Sequence, residues 1–128
     1  MHCFDSTFLI DYVRGETSAV EKVRQLLETS ERLTTPAVAA AELLIGAYFR
    51  GRQELARTLE FLERVDVLGF DVPEAAEAGR LGAECLRRGS PLVGIDLLVA
   101  ATARLHRGVL VSRDGVFSNV PGLAVESY

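Results

Sequence analysis

The apolar positions of this chain change their period repeatedly, and each change marks an element. The opening "MHCF" is a short apolar run with the length of a buried strand, Met1 to Phe4, and it stops at Asp5. In "STFLIDYVRG" the period becomes helical, with Phe8, Leu9, Tyr12 and Val13 three or four apart and Gly15 as the stop. Val20, Val23, Leu26 and Leu27 repeat that spacing in a second amphipathic helix, for which Ser18 is the expected cap. "RLTTP" then reads as a strand closed by Pro36. An alanine-rich helix is predicted from Ala37 to Arg50, a second from Gln53 to Arg64 after the break at Gly51, and a short strand at "VDVLGF".

Pro73 suits the first turn of a helix running to about Arg88 and ending at Gly89. The last unit is a helix from about Gly94 to His106, with Gly108 expected as its left-handed stop, then the strand "VLVS", a loop at "RDGVFSNVPG" and a terminal strand near "LAVES". Strands alternate with helices throughout. Parallel strands need helical crossovers, so the pattern predicts an α/β domain with a mostly parallel central sheet covered by helices on both faces. No repeat or linker divides the chain, and a single domain over 1–128 is expected.

Composition narrows the class. A chain of 128 residues that is 48% hydrophobic and 25% charged has enough apolar matter for one ordinary core. No apolar run reaches the length of a membrane span, and "MHCFDSTFLI" lacks the features of a signal peptide, so no membrane association and a cytoplasmic location are expected. Cys3 and Cys85 lie in apolar surroundings without C-x-x-C spacing and read as reduced core thiols. The net charge is −4, and Lys22 is the only lysine. That arginine bias suits bidentate phosphate contacts, but ordinary solvated helix faces account for it more simply, and arginine alone decides nothing.

Four acids occupy places where acids are scarce. Asp5 ends the first strand and Asp114 lies just beyond the fourth, so both belong at the carboxyl edge of the sheet, where open α/β folds bind ligands. Asp96 shares a helix face with Leu92, Val93, Val99 and Ala100. Glu42 shares one with Val38, Ala39, Ile45 and Gly46, in a stretch that contains no cation. Taken singly, Asp5 and Asp96 read as helix caps, Asp114 as a turn residue and Glu42 as a rim residue reaching water. Four carboxylates at one edge repel one another, and a divalent cation is the natural compensation. An oxygen-only donor set selects Mg2+, with Mn2+ as a substitute, over zinc or iron. No nucleophile and base stand together in the sequence, which leaves metal-assisted attack of water on a phosphodiester as the leading chemistry.

At these residues the sequence resembles the PIN-domain ribonucleases, specifically the VapC-type toxins of toxin-antitoxin pairs, over the whole chain. "FDSTFLIDYVRG" is similar to the family's opening acid and small polar pair, which implies a catalytic role for Asp5 and a supporting hydroxyl for Ser6. "LTTPAVAAAELLIGA" is similar to the second motif and implies Glu42. "GIDLLVAATARLHRGVLVSRDGVFSNVPGL" is similar to the third and fourth and implies Asp96 and Asp114, with Ser112 and Arg113 as supporting residues. Many relatives carry a further acid or polar residue in the segment that here reads "DGVFSN", where Val116 precedes Phe117. The resemblance implies a three-layer α/β/α fold, Mg2+-dependent cleavage of structured RNA, a VapB-type antitoxin partner and a homodimer. Leu44, Tyr48, Phe49, Leu55 and Leu59 offer apolar surface for a second copy.

Other classes fit less well. Receiver domains, which also hold Mg2+, need an acidic pair after the first strand and a late lysine, whereas Asp5 stands alone in "CFDSTF". Phosphatases with a D-x-D nucleophile fail at Thr7. A degenerate PIN fold serving only as an interaction module remains the alternative. Outside the four site acids the acidic and basic residues are equal in number, so arginines near the site must supply the affinity for RNA.

Overall fold

The computed structural model describes residues 1–128. Five strands, β1 (His2–Phe4), β2 (Leu33–Pro36), β3 (Asp66–Leu68), β4 (Val109–Val111) and β5 (Ala124–Glu126), form one sheet in the order β3-β2-β1-β4-β5. Every pairing is parallel. The six α-helices are α1 (Ser6–Val13), α2 (Thr17–Glu28), α3 (Ala37–Arg50), α4 (Arg52–Leu62), α5 (Val72–Arg87) and α6 (Gly94–Leu105). Right-handed crossovers put α1 to α4 on one face and α5 and α6 on the other. The packing agrees in that α1 lies against α2, α3 and α4 and α5 lies against α6; α3 and α6 also touch one another. The α/β class and the layered sheet expected from the alternation are therefore present, and the sheet is wholly parallel.

One cluster of 24 buried residues forms the core. Phe4 of β1 stacks on Phe8 of α1 at 4.5 Å between ring centroids, and neither ring is exposed. Both cysteines are free and buried, and burial pushes the Cys3 thiol up to about 12. Thr34 and Thr35 are buried as well, and their hydroxyls donate to the carbonyls of His2 and Phe4 at 2.9 Å, tying β2 to β1 beyond the ladder. No helix is long and apolar enough to cross a membrane.

Three local expectations are corrected. Ser18 does not cap α2: Glu16 holds the cap position, accepting from the Ala19 N–H at 3.0 Å, while the Ser18 hydroxyl donates to the same carboxylate at 2.6 Å. The longer glutamate spans to the third helical N–H, and Ser18 is already helical. The left-handed residue after α6 is Arg107, with φ of 57°, and not Gly108. Gly108 answers a close approach instead, since a Cβ there would lie 3.1 Å from Met1 Cε and 3.4 Å from Cys3 Cβ. The loop after β4 contains a short 3-10 helix, Gly115–Phe117, whose Phe117 side chain is buried.

Candidate active site

The order of strands creates the site. The crossover from β1 leads to β2 on one side, and the connection from β4 leads to β5 on the other, so the chain diverges between β1 and β4. A crevice opens at the carboxyl ends of strands where connections diverge in this way. Register then sets the residues: Phe4 pairs with Val111, which places Asp5 beside Ser112 immediately past the sheet.

Asp5 is only 3% exposed and performs two tasks at once. It caps α1, accepting from the Phe8 N–H at 2.8 Å, and its other oxygen accepts a short hydrogen bond from the Ser112 hydroxyl. The Asp114 N–H donates to that hydroxyl at 3.0 Å, so Ser112 links the two acids. Burial pushes Asp5 above the ordinary carboxylate range, Ser112 and Phe8 pull it back, and Asp114 and Asp96 push it further up.

Asp96 lies in the first turn of α6, half-buried, yet it is not a cap: the cap position belongs to Val93, and no side chain caps that helix. It makes no hydrogen bond and no ion pair. Burial, then the charges of Asp114 and Glu42, raise it above its usual value. Glu42, half-buried in the second turn of α3, is likewise without a hydrogen-bond or ion-pair partner. Asp114 is exposed and shapes the 3-10 turn, accepting from the Val116 N–H at 3.0 Å. The turn reading is thus correct for Asp114, the cap reading for Asp5, and neither for Asp96.

The four acids therefore share one field, in which Asp5 feels Asp114 and Asp96 and Asp96 feels Asp114 and Glu42. No cation pairs with any of them. They do not form a closed ligand sphere: no three His, Cys, Asp or Glu side chains stand close enough together to hold a metal ion. The donor chemistry still suits a hard divalent cation, since all four are carboxylates and two of them are raised by burial and mutual repulsion. Ser6, at the start of α1, makes no side-chain hydrogen bond.

Arg113 lies between Ser112 and Asp114 in the chain and pairs with none of the four acids. Its Nη2 contacts Asp11 Oδ2 at 3.0 Å and donates to Oδ1 at 3.3 Å, and its guanidinium carbon stands 5.7 Å from the centre of the Tyr128 ring. Tyr128 donates to Asp11 Oδ2 at 2.6 Å and meets Phe8 edge-on. Asp11 and Tyr128 escaped the reading of the sequence: Asp11 lies within "FDSTFLIDYVRG" but away from its opening acid, and its partners Arg113 and Tyr128 are more than a hundred residues off.

A PIN domain model matches residues 2–123. The tRNA(fMet)-specific endonuclease VapC of Shigella flexneri is 32% identical over 128 aligned positions, covering 97% of this chain and 95% of that protein. Its counterpart in Salmonella typhimurium is 30% identical over 106 residues, covering 80% and 79%. Among solved structures, VapBC2 from Rickettsia felis, bound to a DNA fragment from its promoter, matches with a TM-score of 0.88 at 20% identity, over 99% of this chain and 98% of that one. A toxin-antitoxin complex from Klebsiella pneumoniae matches with a TM-score of 0.77 at 25% identity, over 97% and 96%. The chain belongs to the PIN domain family. Within it, the chain is of the VapC type, whose matched members in Shigella and Salmonella are endonucleases.

Proposed function

We propose that this chain is a Mg2+-dependent endoribonuclease, the toxin of a toxin-antitoxin pair, hydrolysing phosphodiester bonds of structured RNA in the cytoplasm. The observation that carries this reading is the set of four acids without a counter-charge at the divergence of β1 and β4, two of them held above their usual range. Asp5, Glu42, Asp96 and Asp114 would hold the ion, and Mn2+ would substitute. When bound, Mg2+ supplies Lewis acidity and a water of lowered pKa for attack on phosphorus.

The chain's own residues prepare that chemistry. Ser112 and the Phe8 N–H favour the ionised form of Asp5 against its burial and fix both of its oxygens. Asp96 and Glu42 keep their lone pairs free of protein donors. The curated relatives carry tRNA(fMet) in their names, which makes initiator tRNA the first substrate to try. The matched VapBC and toxin-antitoxin structures support a VapB-type antitoxin as partner, and the exposed side chains of α3 support a homodimer. The open spacing of the acids also suits an inactive interaction module, the second reading.

Cleavage of initiator tRNA and of total RNA by wild type and Asp96→Asn, at equal concentration with Mg2+ and beside thermal melts of both, decides between them. We expect the wild type to cut, and the variant to melt normally while cutting far more slowly. A wild type that leaves all RNA intact, or a variant that cuts as fast, overturns the proposal.

A further inference from the structure

Between the turn after β4 and strand β5 lies an open cleft of about 380 Å3, with Arg113, Asp114, Ser118, Leu123 and Ser127 on its walls. Ser112 lines it as well as Asp114, so the cleft adjoins the acidic site. Arg113 and Asp114 are the only charged residues that line it. We propose that this cleft is a subsite for a backbone phosphate of the RNA strand neighbouring the cleaved bond, with Arg113 as its contact. The assignment rests on the ribonuclease reading above.

Three observations support it. Only Nη2 of Arg113 is used within the protein; its Nε and Nη1 hydrogens have no protein partner, and the side chain is 50% exposed. The guanidinium is nevertheless fixed, by Asp11 on one side and by the Tyr128 ring at 5.7 Å on another, and Tyr128 is itself tied to Asp11 and to Phe8. An arginine already held in place loses less freedom on binding than a free surface one, and its planar fork matches two phosphate oxygens. The Ser127 hydroxyl, on the same cleft, has no partner and adds a neutral donor.

The setting explains the need. Asp5, Glu42, Asp96 and Asp114 repel a phosphodiester, and the rest of the chain carries no net positive charge to offset them. Arg113 also faces Asp11 and Glu16, so its attraction is short-ranged. It acts by direct contact and not by steering from a distance.

The test measures binding, which does not depend on cleavage. A short fluorescein-labelled single-stranded RNA is titrated by anisotropy in EDTA at several salt concentrations with wild type, Arg113→Gln, Arg113→Lys and Tyr128→Leu, each confirmed folded by its melt. Loss of one phosphate contact lowers the slope of log affinity against log salt by about 0.7 for a single strand. We expect that fall, with several-fold weaker binding, for Arg113→Gln. Arg113→Lys is expected to keep the slope and bind more weakly, and Tyr128→Leu to do the same because the charge has lost its support. If the wild type binds and Arg113→Gln matches it in affinity and slope, the subsite is wrong while the ribonuclease reading stands. If the wild type binds no RNA in EDTA, the subsite is wrong, because Arg113 is proposed to make its contact without the ion, and the ribonuclease reading is left to the cleavage assay with Mg2+.

Discussion

Ser112 donates its hydroxyl hydrogen to the carboxylate of Asp5 across 107 residues of chain, and accepts the backbone N–H of Asp114 on the same oxygen. One small side chain thereby fixes the orientation of one acid, the backbone of a second, and the charge state of the first.

Removing that hydroxyl tests all three. Ser112→Ala leaves the Asp114 N–H and one Asp5 oxygen without their partner, and should cost about 1–3 kcal/mol in urea unfolding. It also deletes the contact that most lowers Asp5. The acid limb of the pH–rate profile should therefore move to higher pH, and an unmoved limb would show that Asp5 does not need Ser112 to ionise.

The raised acids give the metal-free protein a definite pH dependence. A carboxyl raised on folding binds its proton more tightly in the native state, so its contribution is present below the ordinary Asp value of 3.8 and lost as pH rises through the raised one. Asp96→Asn deletes that loss. In EDTA the variant should gain on the wild type as pH rises from about 4 to 7, by no more than about 1 kcal/mol because Asp96 is only half-buried and solvent screens it. Parallel stability curves would refute the repulsion.

Divalent cations should reverse the penalty. Mn2+ at about a hundredfold over its Kd would stabilise the wild type by about 2.7 kcal/mol, seen as a higher melting midpoint. Asp96→Asn should show a much smaller rise. A wild-type midpoint indifferent to millimolar Mn2+ counts against any metal site.

Of the apolar residues expected to meet a second copy, Phe49 is 90% exposed, Tyr48 66% and Leu59 43%, while Leu44 and Leu55 are half-buried. Ile45, 71% exposed, joins the exposed stripe. Light scattering at micromolar concentration should report a dimer for the wild type and a monomer for Phe49→Glu, with unchanged melting. A monomeric wild type removes the dimer.

The sequence revealed what is periodic or local. Strands alternating with helices gave the layered sheet, and an acid immediately after each of two strands placed Asp5 and Asp114 at one edge, because parallel strands share a direction. Asp96 and Glu42 were visible as charges on otherwise apolar helix faces. What escaped is what the fold brings together from afar. Arg113 meets Asp11 over 102 residues and Tyr128 meets Asp11 over 117, and no spacing rule connects such pairs. The cap at Glu16 was missed because its carboxylate spans a distance usually covered by a shorter side chain, and Gly108 because its backbone meets β1, a neighbour invisible until the sheet is assembled.

The strand order also sets a schedule for synthesis. β1 leaves the ribosome before its neighbours and finds β2 soon after, but β4, its other neighbour, arrives only at Val109. Until then one flank of β1 is bare, Asp5 has no Ser112 beside it, and Asp114 has not been translated. A nascent fragment that stops short of Val109 therefore lacks the assembled acidic edge, and the four acids come together only once β4 has been made.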